Sequence, residues 1–209
     1  MIHPATELRK VDDEVGYGVF ATQPIPRGTI VSAVDDLDIV LSPSAVLALP
    51  EPLQAVMDCY AYLDPHGDYV LHWDFTRFIN HSCDPTSRSI GATFDIAVRD
   101  IVPGEQLTCE YALLNLTEPL SFTCHCGTAK CRGRVGPSDV ESFWKEWDRE
   151  VNQAFASAPH VAQPLLPVAQ LRPSYRVLVD AIRSGTTVAL PSCRQHVSNT
   201  DSETEADPD

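Results

Sequence analysis

Arg77-Phe78-Ile79-Asn80-His81-Ser82-Cys83-Asp84-Pro85 is the stretch that decides how this chain is read. Asn, Ser and Asp ahead of a proline are turn-forming residues. Their short polar side chains bond to nearby backbone, and the proline ring presets φ. Taken alone, the stretch reads as a polar loop with a satisfied histidine. An Asn-His pair also offers amide and backbone groups to a ligand. Cys83 adds a thiol to the same loop, so its meaning depends on what stands elsewhere in the chain.

Three other segments bear on it. Cys124-His125-Cys126-Gly127-Thr128-Ala129-Lys130-Cys131-Arg132-Gly133 puts three thiols around one point, with a glycine to turn the loop. Tetrahedral zinc needs a fourth soft ligand, which is either His125 or a remote cysteine, and Cys83 is a candidate. Gly104-Glu105-Gln106-Leu107-Thr108-Cys109-Glu110-Tyr111 is a glycine turn, a strand and a closing tyrosine. Gly16-Tyr17-Gly18 is a glycine pair that lets backbone approach a ligand. Each of these last two is ordinary by itself.

The composition sets limits. The chain has 209 residues, 44% of them hydrophobic, enough for one core plus appendages. No apolar run approaches the ~20 residues that a bilayer requires. The N-terminal residues lack a basic-then-apolar signal pattern. An intracellular protein with reduced thiols is therefore expected, and a tight cysteine cluster there points to metal before disulfides. The formal net charge is −14. That argues against nucleic-acid partners and favours basic protein or peptide segments, although charge also serves solubility; the lack of a long apolar run argues against a membrane partner.

Short strands and turns fill the first part. Gly18–Thr22, Thr29–Val31, Asp38–Leu41, Tyr69–Trp73, Thr93–Val98 and Gln106–Cys109 read as strands. Ser44–Leu49 and Leu53–Tyr60 read as short helices broken by prolines. After Gly136-Pro137 the pattern changes. Ser138 with Glu141 reads as a capping box, and Val140, Phe143, Trp144, Trp147, Val151 and Phe155 follow at helical spacing. Trp144 and Trp147 are expected to pack on the preceding domain. Ala158–Pro167 reads as a proline-rich linker. A second helix around Tyr175–Ile182 ends at Gly185.

In this order the four segments resemble the SET-domain protein-lysine methyltransferases that carry a zinc-binding post-SET segment. The matching stretches are Gly16–Thr22, Thr76–Pro85, Phe94–Tyr111 and Phe122–Gly133. The resemblance implies a mainly β, β-clip-like SET fold with a knot-like crossing, plus a C-terminal helical extension. The expected divisions are 3–115 for the SET domain and 120–136 for the post-SET zinc segment. Residues 137–190 would form the helical extension with its linker, and 195–209 a disordered acidic tail.

The resemblance also implies roles. The crossing would bring Asn80-His81 beside Tyr111, the central catalytic residue. Gly16, Tyr17, Gly18, Tyr69, Arg77, Phe78, Asn80 and the backbone of His81 would bind S-adenosylmethionine. Cys83, Cys124, Cys126 and Cys131 would hold one structural zinc. Tyr60, preferred over Tyr62, and Cys109 would line the lysine channel. An apolar aromatic channel disfavours the ammonium form of lysine and aligns the neutral amine for an in-line methyl transfer. Three departures from the family stand out. Glu110 replaces the usual Asp, and Thr86 follows Pro85 where Asn is usual. Cys109 is smaller than the usual Phe or Tyr, which leaves room for more than one methyl or for a neighbouring aromatic. Two other readings are a catalytically inactive SET-like recognition or scaffold module, and a structural zinc-ribbon protein.

Overall fold

The computed structural model describes residues 1–91, 94–114 and 121–196. The expected acidic tail, apart from its first residues, lies outside the described residues, as does Thr93. The strands and helices alternate in short pieces through the first 135 residues. They run β1 (Thr6–Asp12), β2 (Gly16–Ala21), β3 (Ile30–Ala33), β4 (Ile39–Leu41), α1 (Pro43–Leu47), α2 (Glu51–Tyr60), β5 (Tyr62–Leu63) and β6 (Tyr69–Leu71). Then come β7 (Asn80–His81), β8 (Ser87–Ile90), β9 (Phe94–Ala97), β10 (Gln106–Cys109), β11 (Phe122–Thr123) and β12 (Arg134–Val135). The extension is α3 (Ser138–Ser157), α4 (Leu166–Ala169) and α5 (Arg176–Ser184).

Among the described residues four small sheets result, ordered β1-β2-β10-β7, β3-β9-β8, β4-β6-β5 and β11-β12. The expected strands are present. The sequence reading had no strand at β1 or β8, both of which carry charged or hydroxyl residues rather than apolar alternation. Pairing supplies what their composition does not: β1 lies antiparallel to β2 from Thr6 opposite Ala21 onward, and β8 pairs with β9. The strand expected over Tyr69–Trp73 ends at Leu71. Beyond it, the Trp73 amide donates to Asp38 (3.1 Å) and the Trp73 indole to Asp35 (3.1 Å), so this segment bonds to carboxylates and not to a ladder.

Two of the cores explain the arrangement. Val19, Ile25, Val31, Ile79, Ile101 and Leu107 fill the space between the β2-β10 and β3-β9 sheets. On the other face of β3-β9-β8, Ile30, Ile90, Phe94 and Ile96 pack against Val151, Ala154, Phe155, Leu178 and Ile182 of the extension. The helices therefore close the main core. Trp147 is buried as expected, and Trp144 is half-buried. The proline-rich segment is also built in: Gln163 accepts from the Ile30 amide (2.9 Å) and donates to the Gly28 carbonyl (2.7 Å). Gly28 has φ +91°, and a Cβ there would stand 2.8 Å from the Ala154 carbonyl and the Ala158 amide. Only glycine lets the end of α3 approach this turn so closely.

One local expectation is corrected. Ser138 does not cap α3, because Pro137 is already helical (φ −58°, ψ −32°) and no side chain caps the end. Asp139 instead accepts from the Gly136 amide at 3.2 Å. Gly185 does end α5, with φ +69°.

Because the extension completes the core, Phe155→Ala should cost about 3–5 kcal/mol. A fragment ending at residue 137 should lack a cooperative urea transition. A fragment that unfolds cooperatively with near full-length stability would contradict this packing.

Candidate functional site: a tyrosine, a cavity and a thiol cluster

The site forms where β7 runs parallel to β10, with Asn80 opposite Thr108 and His81 opposite Cys109. Past β10 the chain enters a 3-10 turn, Tyr111–Leu113, which Glu110 caps by accepting from the Ala112 amide at 3.0 Å. This sets Tyr111 against the β7 segment, the juxtaposition expected of the crossing. The Tyr111 hydroxyl donates to the Ile79 carbonyl at 2.8 Å, and its amide donates to His81 Nδ1 at 3.2 Å. Burial pushes the phenol far above its usual range, so it stays a neutral hydroxyl. Its oxygen keeps lone pairs available after donating to Ile79.

His81 is a connector. Burial lowers its pKa to about 4, against the opposing pull of the Glu110 carboxylate 3.6 Å away. It is thus neutral. Since Nδ1 accepts from Tyr111, the proton is assigned to Nε2, which faces the Cys83 sulfur at 3.4 Å.

Beside Tyr111 opens a cavity of about 400 Å³ lined by Tyr60, Tyr62, Arg77, Cys109, Tyr111 and Phe122, among others. Tyr60 and Tyr62 both line it, and Tyr62 is the more buried of the two. Phe122 had no role in the sequence reading. Its ring lies edge-on to Tyr111 (5.9 Å) and to His81 (5.3 Å). The only signal for it was its place two residues before Cys124, which fixes it near the thiol cluster.

Most of the remaining predicted residues form a second group. Asn80 donates from Nδ2 to the Tyr17 carbonyl at 2.9 Å. The Phe78 ring meets Tyr17 at 6.0 Å, Tyr60 at 5.2 Å and the Arg77 guanidinium at 5.2 Å. Gly16 has φ +81°. Gly18 has a packing reason of its own: a Cβ would clash with Gln106 and crowd Asn80. Tyr69 stands apart. It lies on β6 opposite Leu41 and Leu63, packed on Val46, Met57 and Leu71.

The thiols of Cys83, Cys124, Cys126 and Cys131 lie within 4.8 Å of one another. A tetrahedral zinc with bonds of ~2.3 Å places its sulfurs about 3.8 Å apart. The Cys83 and Cys124 sulfurs are 3.7 Å apart. The Arg132 amide points at the Cys83 sulfur and the Cys126 amide at the Cys124 sulfur, both at 3.4 Å, as suits thiolates. The donor set therefore fits one zinc. His125 is exposed and is not among the four.

Glu110 ties these parts together. Its side chain is fully buried and takes a bidentate pair of hydrogen bonds from Arg132, at 2.9 and 2.7 Å. Arg88 lies 3.7 Å from it and donates to Glu150 of α3 at 2.7 Å. Both guanidinium groups face the Trp147 ring, at 5.0 Å for Arg88 and 5.6 Å for Arg132. Glu in place of Asp keeps the charge at this position.

Comparison with known proteins agrees with the geometry. Residues 16–112 match the SET domain family, and the chain carries a SET domain over that span. Among its relatives is the histone-lysine N-methyltransferase ATX2 of Arabidopsis thaliana, 29% identical over 60% of this chain and 12% of its own length. The histone-lysine N-methyltransferase TRX1 of rice (Oryza sativa subsp. japonica) is 40% identical over 37% of this chain and 8% of its own length. The H3 lysine-9 specific enzyme dim-5 of Neurospora crassa is 38% identical over 34% of this chain and 27% of its own length. The chain thus spans about a quarter or less of these relatives.

The thiol cluster yields a direct prediction. The purified protein should contain one equivalent of zinc by elemental analysis, and Cys126→Ser should lose it. The same substitution should expose the 121–135 segment to proteolysis, since metal bonds supply the folding energy of such short loops. Full zinc content in Cys126→Ser would contradict the four-thiolate site.

Proposed function

We propose that this protein transfers methyl groups from S-adenosylmethionine to lysine side chains of other proteins. The observation that carries the reading is the neutral Tyr111 hydroxyl, anchored on the Ile79 carbonyl within the aromatic cavity. When bound, S-adenosylmethionine would supply an electrophilic methyl group.

The chain's own residues would do the rest. Gly16, Tyr17 and Gly18 offer backbone groups to the cofactor, with Arg77, Phe78, Asn80 and the His81 backbone beside them. Tyr69 belongs to this set by resemblance alone. Tyr60, Tyr62 and Phe122 would wall the lysine side chain. An apolar aromatic lining disfavours the ammonium form and keeps bulk water away. The Tyr111 oxygen would orient the amine and the methyl group, which have to lie in line. Tyr111 would not serve as a base, because burial keeps its proton on. Zinc held by the four cysteines would fix β11 and Phe122 over the cavity.

The substrates would be basic proteins or peptides, histone-like tails among them. This rests on the relatives named for histone lysine and on the net charge of −14. The reading places the protein inside the cell, where thiols stay reduced for metal. No helix among the described residues is long and apolar enough to cross a membrane.

Incubation with radiolabelled S-adenosylmethionine and a panel of basic proteins tests the reading. Label should appear on lysine, and Tyr111→Phe should lower kcat by roughly 10²-fold, the scale of removing one preorganised polar group. Cofactor affinity should stay within about threefold, because Tyr111 is not among the groups assigned to the cofactor. Cofactor binding without labelling of any protein would favour the inactive recognition module.

A further inference from the structure

The cavity beside Tyr111 holds a carboxylate that the proposed methyl transfer does not use. Asp95 lies on β9, the middle strand of the β3-β9-β8 sheet, opposite Ser32 on one side and Ser89 on the other. The Ser32 hydroxyl donates to one carboxylate oxygen at 2.9 Å and the Ser89 hydroxyl to the other at 2.5 Å. All three residues line the cavity, and Asp95 is half-buried.

The contrast with Glu110 is informative. Glu110 is matched by Arg132 and Arg88. Among the described residues, which include every lysine and arginine of the chain, none pairs with Asp95. Arg77 lines the same cavity but turns to the His72 carbonyl (3.4 Å) and the Phe78 ring. A half-buried carboxylate draws support from its two serine donors, yet an ionised carboxyl has about four acceptor positions. The two serine hydroxyls occupy two of them.

Asp95 and Tyr111 reach the cavity from different sheets. The charge of Asp95 acts on Cys109 and Tyr62, on top of the larger effect of their burial. Asp95 projects from β9 of the β3-β9-β8 sheet, whereas Tyr111 follows β10 of the β1-β2-β10-β7 sheet.

We propose that Asp95, oriented by Ser32 and Ser89, anchors a second subsite of this cavity that takes a cationic side chain of the protein substrate other than the lysine to be methylated. This rests on the reading of the cavity as a protein-substrate site. It adds a specificity determinant: a guanidinium or ammonium group of the bound segment would be selected by charge. A neutral residue at that place would leave the carboxylate without its counter-ion.

The test uses small probes and the full chain, without cofactor or methyl transfer. Butylguanidinium and its neutral counterpart butylurea are titrated into wild type and Asp95→Asn. Wild type should bind the cation at least about tenfold more tightly, as a charge-assisted pair is expected to give. Asp95→Asn should lose that preference while keeping its affinity for butylurea and its melting temperature. Amide chemical-shift mapping of wild type carries the same test without substitution. The amides of Ser89 and Asp95 should move with the cation and not with butylurea. Equal affinity for the two probes in wild type, or a preference that survives in Asp95→Asn, would overturn the proposal. Methyl transfer is read separately, so either conclusion can fail while the other stands.

Discussion

The buried carboxylate of Glu110 is the contact on which the rest of this structure depends. It caps the turn that carries Tyr111, receives both arms of Arg132 from the thiol-bearing loop, and lies beside Arg88, which reaches α3. A charge withdrawn from water is tolerated only when matched and hydrogen-bonded. The strands around Tyr111, the thiol-bearing loop and the C-terminal helix are thus held by one cluster of ion pairs, with Trp147 covering both guanidinium groups. Removing one member leaves its partner buried without compensation, so the three segments are expected to loosen together.

A second chain of contacts runs from metal to chemistry. The Cys83 sulfur faces His81 Nε2, and His81 Nδ1 accepts from the Tyr111 amide. One neutral imidazole thus links the Tyr111 amide to the thiol cluster. Phe122 joins the same pathway from the other side, packed on both rings. The proposed zinc would act by position alone, far from any Lewis-acid role, which fits a closed four-thiolate set.

Much of this was legible in the sequence, because motif residues carry their own geometry. Cys124, Cys126 and Cys131 meet by local spacing, and Cys83 joins them as the resemblance implied. Asn80, His81 and Tyr111 come together through the parallel pairing of β7 and β10, which no local pattern encodes. Strand β1, rich in charge, was invisible because its stability comes from pairing with β2 and not from an apolar face. Asp95 had no local signal, and Phe122 had only its place two residues before Cys124. Each becomes informative only through its neighbours: two serines on adjacent strands, and two rings from distant segments. The proline-rich stretch misled by composition. Prolines suggested a loose connection, whereas Gln163 bonds both to the edge of β3 and to the Gly28 turn.

The central claim is that Gly16–Gly18 and Phe78–His81 form the cofactor face of a methyl-transfer site. Hydrogen–deuterium exchange with and without S-adenosylhomocysteine tests it most directly, because it maps contact without requiring the protein substrate. Slower exchange confined to peptides covering residues 16–20 and 77–82 is the expected result. Binding that leaves both segments unchanged, or no binding at all by the zinc-loaded protein, would contradict it.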